Sequence, residues 1–388
     1  MSSPSAPLAH VAELRCLRCG AAYPPDVGAY LCPACDRGDG IDAGVLEVVY
    51  DYGAVAAFPG DGAGAVRGDV FRYAPLLPVD RPERAVLAAG GTPLVSAPGL
   101  ARRFGLKELW LKDETANPTR CLKDRATTIA LAMADAAGRD TLFCASAGNA
   151  AISLAGFCAH AGLRAHVWVP ARASSEQLAW LQRFGATVHV AAGDYDFAYD
   201  QSEAEGRTQG WYSRNCAFNP YLVEGKKTVA FEIAEQLGWR APDLVLAPVG
   251  DGCTLSAAGK GFRELREIGR TDALPRLVGA QAEGVQPLVH RLTGEDGGAE
   301  GSTRAASIAV RNPRNALRLL RELDTAGGTL LAVPDEETDR ACATLSREAG
   351  LVCEFTSAAP LAALAHVAEA ESLEGKTAVL IVTSGRAD

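Results

Sequence analysis

From residue 86 onward the chain repeats one pattern, a short apolar run followed by a longer amphipathic stretch, and this pattern limits the fold more than any other feature of the sequence. The apolar runs are Leu109–Lys112, Thr141–Ala145, Ala165–Val169, Thr187–Ala191, Leu244–Pro248, Leu277–Ala280, Thr329–Val333 and Ala378–Val382. They lack clean polar alternation, which suits parallel strands covered on both faces. Between them lie helix candidates at Asn149–Ala161, 255–267 and Glu336–Ala349, the last preceded by Pro334 and opening with acids where the helix dipole favours them. Strand and helix alternating over this length predict an α/β fold of two doubly wound open-sheet lobes with a cleft between them. A chain of 388 residues exceeds one small core. We divide it into residues 1–50, a linker at 51–85, an N-terminal lobe at 86–238 and a C-terminal lobe at 239–388. Gly294–Gly301 reads as a loop.

The first 50 residues stand apart. Cys16-x2-Cys19 and Cys32-x2-Cys35 are separated by twelve residues, and each pair sits in turn-forming sequence. Two such knuckles place four thiolates around one Zn2+, and so short a segment needs the metal to fold. With all four positions filled by cysteine there is no open coordination site, so a structural zinc-ribbon-like unit is expected rather than a catalytic one. The other seven cysteines are scattered through apolar segments, as reduced thiols in a cytosol would be. The N-terminus has no basic and apolar signal-like regions, and no stretch approaches a bilayer span. A net charge of -9 argues against nucleic-acid or anionic-membrane partners and leaves a small metabolite.

Active sites of open α/β sheets lie at the carboxyl ends of strands. Four turns there are rich in chemistry. Asn117–Arg125 (NPTRCLKDR) puts Lys123 at a helix start beside Arg125, where dipole and neighbouring charge both favour a neutral amine. Taken alone, such a lysine is as readily solvated surface. Ser146-Ala147-Gly148-Asn149-Ala150 follows a strand and offers either a capping turn or a seat for a substrate carboxylate. Gly250-Asp251-Gly252-Cys253-Thr254 can fold into a nest of N–H groups converging on an anion at a helix N-terminus. Thr383-Ser384-Gly385-Arg386 ends the last strand.

In this order the segments resemble threonine synthase and its relatives among the pyridoxal-phosphate enzymes of the tryptophan synthase β-like fold (fold type II). Gly90–Leu94 is similar to the family's opening motif, Asn117-Pro118-Thr119 with Lys123-Asp124-Arg125 to its cofactor-lysine motif, and Ser146 to Asn149 to its serine-glycine-asparagine loop. Glu224–Thr228 looks like its helix opening after an asparagine-proline, Gly250 to Thr254 like its phosphate loop, and Ile308–Ala316 like a late family segment. The resemblance implies pyridoxal 5'-phosphate in the cleft, held as a Schiff base by Lys123, which also serves as the α-proton base. It implies Asn149 at the cofactor's ring hydroxyl, and backbone N–H groups of Gly250, Gly252, Cys253 and Thr254 at its phosphate, Asp251 giving at most main chain. Ser384 would face the pyridine nitrogen, a neutral partner that suits elimination and replacement more than transamination. Ser146 to Ala150 would bind a small amino-acid substrate. A cytoplasmic homodimer is expected by analogy with the fold.

The chain departs from the family at Cys121-Leu122, at Asp251 and Cys253-Thr254, and at Glu354-Phe355-Thr356-Ser357. The departure that bears most on substrate is Cys216, Ala217 and Leu222, where the family typically carries asparagine, serine and arginine to grip a substrate phosphate. Cys, Ala and Leu cannot hold a dianion. The favoured expectation is therefore elimination or replacement at the β or γ carbon of a small, non-phosphorylated amino acid. An authentic threonine synthase acting on O-phosphohomoserine, its phosphate held by Lys226, Lys227, Arg120 or Arg311, is the alternative. A cofactor-free binding or regulatory relative is the alternative from another class.

Overall fold

The computed structural model describes residues 8, 10–35, 43–55, 58–59, 68–295 and 301–385. Arg386 and residues 296–300 of the Gly294–Gly301 loop lie outside them. The cysteine segment is an antiparallel sheet of β1 (Val11–Cys16), β2 (Ala22–Tyr23) and β3 (Leu46–Tyr50) in the order β2-β1-β3. After it come β4 (Leu94–Ser96), α1 (Pro98–Arg103), β5 (Glu108–Asp113) and α2 (Lys123–Ala136). The chain then builds a smaller unit from β6 (Thr141–Ala145), α3 (Asn149–Ala161), β7 (Arg164–Val169), α4 (Ser175–Arg183), β8 (Thr187–Val190), α5 (Tyr195–Thr208) and β9 (Tyr212–Ser213). It continues through α6 (Tyr221–Gln236), β10 (Leu244–Pro248), α7 (Cys253–Glu267), β11 (Arg276–Ala282) and α8 (Pro287–Thr293). The remaining elements are α9 (Ala316–Ala326), β12 (Thr329–Val333), α10 (Asp335–Ala349), α11 (Phe355–Ala370) and β13 (Thr377–Val382).

Two α/β sheets result. The smaller, β8-β7-β6-β9, is parallel throughout, and the larger runs β12-β11-β10-β13-β5-β4 with only β4 antiparallel at its edge. The sheets do not divide at residue 238 as the lobes drawn from the sequence would. β5 pairs with β13 from Glu108↔Thr377 to Asp113↔Val382, so residues 94–113 belong to the sheet of the C-terminal half. A register between distant segments is set by which neighbour buries each face, and local pattern carries no trace of it.

The central parallel strands β6, β10 and β13 are largely apolar and buried along their length because both faces are covered. In β13, Val379 and Ile381 enter the core beneath α2, α6 and α7, while Ala378, Leu380 and Val382 enter the core beneath α1, α10 and α11. Local chemistry sets the helix ends. Ser174 and Gln177 close a reciprocal capping box on α4, and Gly162 ends α3 with φ 67°, its N–H donating to Cys158 O.

Charge is also buried at the helix packing. Lys227 and Lys260 face Glu224 and Glu264, all four fully buried, with Glu224 2.5 Å from each ammonium and Lys227 2.6 Å from Glu264. The cysteine segment closes over this group through β3. Tyr50 donates its hydroxyl to Glu224 at 2.8 Å, Lys260 donates to Val48 O at 2.7 Å, and Arg318 of α9 donates to Leu46 O at 2.6 Å. No helix among the described residues is long and apolar enough to cross a membrane.

Candidate active site

A cavity of about 540 Å3 opens at the carboxyl ends of β6 and β10, where the two sheets face each other. Three of the four turns singled out in the sequence line it directly: Lys123, the whole of Ser146 to Ala150, and Gly250 to Thr254. The fourth contributes Thr383, while Ser384 is buried just behind the wall.

Lys123 is the first residue of α2, and its turn is held from both sides. The Asp124 carboxylate accepts from Thr119 N at 2.6 Å and Thr119 Oγ1 at 2.5 Å. The Lys123 ammonium is pushed below the usual lysine range, first by burial and then by the charges of Lys226 and Arg214. Arg125 is not the neighbour that does this. Its guanidinium turns into the core and pairs with Glu114 at 2.7 Å and Glu232 at 2.6 Å, with Lys112 2.7 Å from the same Glu232. Residues at i and i+2 of a helix point to different faces, so sequence adjacency misled here.

The glycine-rich turn has the geometry of an anion seat. Gly252 sits at φ 88° as the residue before α7, a conformation that costs a residue with a Cβ about 1–2 kcal/mol. A Cβ there would also come within 2.9 Å of Leu319 Cβ. No hydrogen bond within the protein uses the backbone N–H groups of Gly250 through Thr254 among the described residues. Five unspent donors at the N-terminus of a 15-residue helix fit a phosphate. The Asp251 carboxylate turns away from them, accepting from Arg314 N at 3.2 Å, with burial pushing it up to about 6. At the opposite wall the N–H groups of Asn149 and Ala150 are likewise unspent, while Gly148 N donates to Ser146 Oγ at 3.1 Å.

Glu354 ties the walls together, and the sequence offered it only as part of a departing segment. Its carboxylate lines the cavity and accepts from Asn149 Nδ2 at 2.6 Å, from Ser307 Oγ and from Ser384 Oγ. Ser384 also lies 3.2 Å from Ser357 Oγ. Only the fold brings positions 149, 307, 354 and 384 together, so no local signal marked them as a set.

Two cations and two of the three departing positions complete the wall. Lys226 and Arg214 line the cavity. Arg214 is committed to Thr127 Oγ1 and Lys123 O at 3.1 Å each, whereas no carboxylate pairs with the buried Lys226 among the described residues, and its hydrogen bond goes to Cys216. Cys216 and Ala217 line the cavity, but Leu222 is packed in the core and does not. Lys227, Arg120 and Arg311 do not line it either, Lys227 being held in the buried group beneath β3.

In the cysteine segment the Sγ atoms of Cys16, Cys19, Cys32 and Cys35 lie within 4.8 Å of one another, Cys19 and Cys32 at 3.8 Å. A tetrahedron with metal–sulfur bonds of about 2.3 Å has sulfurs about 3.8 Å apart. A Cβ on Gly44 would meet Cys35 Cβ at 2.4 Å, so this cradle admits no side chain there.

Comparison with known proteins agrees with this geometry. The family model of pyridoxal-phosphate dependent enzymes matches residues 86–385. The threonine synthase of Methanosarcina acetivorans is 36% identical over 381 residues, covering 96% of this chain and 91% of that protein. That of Methanocaldococcus jannaschii is 35% identical with the same coverage. Among solved structures, maize serine racemase superposes with a TM-score of 0.65 at 18% identity, over 76% of this chain and 88% of that one. The processed form of threonine deaminase isoform 2 from Solanum lycopersicum gives 0.62 at 19%, over 76% and 84%. Similarity at that level speaks for the fold. An α/β chain with a lysine and an open phosphate-sized nest in one cavity, matched along nearly its whole length by threonine synthases, belongs to the pyridoxal-phosphate dependent enzymes of fold type II and is threonine synthase-like.

Proposed function

We propose that this enzyme carries out elimination or replacement at the β or γ carbon of a small, non-phosphorylated amino acid, with Lys123 as the cofactor lysine and base. The observation that supports the reading best is the single cavity wall shared by Lys123 and the unspent N–H groups of residues 250–254. Those N–H groups would seat the cofactor phosphate, Lys123 would bind its aldehyde carbon, and Asn149 would approach its ring hydroxyl. When bound, pyridoxal phosphate supplies an electron sink for charge developing at the substrate's α carbon.

The rest of the work falls to this chain's residues. The N–H groups of Asn149 and Ala150, with Ser146 Oγ nearby, orient the substrate carboxylate at the N-terminus of α3. Lys123 Nζ is held toward its neutral form by burial and by two neighbouring cations, and so can accept the α-proton and return it. Glu354 fixes the amide of Asn149 and the hydroxyl of Ser384 through one carboxylate. Ser384 would stand at the pyridine side of the cofactor in company with Glu354, to which its hydroxyl already donates.

Support for a non-phosphorylated substrate rests on Cys216 and Ala217 alone, because Leu222 is off the wall. The Cys216 thiol, hydrogen-bonded to Lys226, is held well below its ordinary range, first by its bond to Cys253 and then, against burial, by Lys226 and Arg214. A thiolate there answers the charge of Lys226 and repels a second dianion. The lining of the cavity by Lys226 favours one other reading, threonine formation from O-phosphohomoserine with Lys226 on the phosphate and Cys216 protonated. Incubating the enzyme with a panel of amino acids and O-phosphohomoserine, and identifying products by chromatography, separates the two. Efficient threonine release from the phosphorylated compound would replace the first reading with the second.

Structural zinc at Cys16, Cys19, Cys32 and Cys35 is part of this proposal, supported by sulfur spacings that suit one tetrahedral ion. A cytoplasmic homodimer is proposed on the analogy of the fold and on the scattered thiols.

A further inference from the structure

Two departures from the threonine synthase pattern, Cys216 after β9 and Cys253 at the start of α7, come from distant parts of the chain and meet in space. Both side chains line the cavity, pack in one cluster with Ala217 and Tyr199, and hydrogen-bond each other. Lys226 hydrogen-bonds the Cys216 sulfur. The pair is asymmetric. The bond to Cys253 and then, against burial, the Lys226 and Arg214 charges hold Cys216 toward thiolate, while the bond to Cys216 and then burial keep Cys253 a thiol. That is the pairing of a nucleophilic thiolate with a resolving thiol. Cys158 shows the contrast: burial, more than anything else, raises its thiol, and it is enclosed in the core.

We infer that Cys216 and Cys253 form a dithiol–disulfide site at which hydrogen peroxide closes a covalent bond across the cavity wall and shuts the enzyme. The Cys216 thiolate attacks one peroxide oxygen. The O–O bond breaks, a sulfenic acid forms, and the departing hydroxide takes a proton from solvent to become water. The Cys253 sulfur then attacks the sulfenic sulfur. The S–S bond forms as the S–O bond breaks, and the leaving hydroxide takes the Cys253 proton to give a second water. Two electrons leave the sulfur pair and reduce one peroxide to two waters; a dithiol reductant reverses the change.

The consequence falls on the anion seat. The bond ties the loop after β9 to residue 253, whose N–H is one of the five unspent donors, and deprives Lys226 of its thiolate partner. Oxidation therefore weakens cofactor binding as well as turnover. Peroxide has access, because a cavity of about 540 Å3 that admits an amino acid admits a smaller molecule.

The test uses the full chain loaded with pyridoxal phosphate, treated with hydrogen peroxide, alkylated with iodoacetamide and digested without reductant. The expected product is the Cys216 peptide joined to the Cys253 peptide, lost on treatment with dithiothreitol. Pyridoxal phosphate should rebind to the oxidised, cofactor-stripped chain about tenfold more weakly than to the reduced chain. In Cys253→Ser, peroxide should drive Cys216 to sulfinic or sulfonic acid with no cross-link. Three outcomes overturn the inference: both cysteines alkylated after oxidation, a cross-link elsewhere with these two free, or equal cofactor binding by oxidised and reduced chains. The cross-link is read by mass alone, so its failure leaves the Lys123 reading standing, and failure of that reading leaves the cross-link standing.

Discussion

Replacing Glu224 by glutamine changes one oxygen to nitrogen at the centre of the buried charge group. Glu224 and Glu264 balance Lys227 and Lys260, all four side chains being fully buried. Glu224→Gln leaves two ammoniums facing one carboxylate. Lys227 keeps Glu264 at 2.6 Å, but Lys260 keeps only Glu264 at 3.5 Å and Val48 O at 2.7 Å. Removing one partner of a buried ion pair costs about 3–5 kcal/mol, because the charge left behind keeps its desolvation penalty. The Tyr50 hydroxyl also exchanges a charged acceptor for a neutral one, adding roughly 1 kcal/mol. A loss of about 4–6 kcal/mol is a large share of the roughly 5–15 kcal/mol typical of a folded domain. Urea unfolding followed by the fluorescence of the five tryptophans and by circular dichroism should show a lower midpoint at unchanged slope. The decisive arm is the double variant Glu224→Gln with Lys227→Met. Removing one ammonium restores neutrality, so its loss should fall short of the sum of the two single-variant losses by about 1–3 kcal/mol of favourable coupling. Additive losses in the double variant, or a loss below about 1 kcal/mol in the single one, would refute the charge-balance argument.

Three further expectations follow from the site and its supports. Borohydride reduction of the holoenzyme should fix pyridoxyl label on the Lys123 peptide, and Lys123→Ala should lose about 10^3-fold or more in turnover while still binding cofactor through residues 250–254; label on Lys226 or Lys227 would contradict this. A zinc chelator should release one metal per chain and lower the stability of the α6–α7 region with it, read by limited proteolysis, because β3 supplies Tyr50 and two carbonyls to α6, α7 and α9; proteolysis confined to residues before 50 would show the two parts to be independent. Glu47 is pulled up by burial, but Arg263 and then Lys260 bring it down to about 2, so its contribution, on the order of 3 kcal/mol, is present above the unfolded value near 4.5 and lost as pH falls toward 2; Glu47→Gln should flatten that acid limb.

Much of this was legible beforehand, for physical reasons that differ from element to element. β6, β10 and β12 coincide with their apolar runs, and α3 runs from Asn149 to Ala161 as read, because a strand buried on both faces and a helix ended by Gly162 leave strong local marks. β9 has two residues and β4 three, too short for any period to register. The partnering of β5 with β13 was invisible for the reason given by sheet register. At the site, Lys123 and the two turns announced themselves through glycine, asparagine and helix starts. Glu354 did not, since an acid before a helix reads as an ordinary N-terminal residue until Asn149, Ser307 and Ser384 are seen to converge on it. Leu222 shows the reverse error: it stands in the right stretch of chain, yet its side chain faces the core.

Asp251, odd beside a phosphate when read from the sequence, has a mechanical role in the folded chain. Its carboxylate takes the backbone N–H of Arg314, and that residue's guanidinium crosses to α5, 2.5 Å from Asp196 and 3.1 Å from Asp200, over the ring of Tyr199. One residue thus links the glycine-rich turn to the smaller sheet. Any displacement of α5 relative to the larger sheet would pull on Arg314 and through it on residue 251. The position of α5 and the set of the glycine-rich turn are therefore linked, and part of that link is the exposed Asp200, whose hold weakens as salt rises.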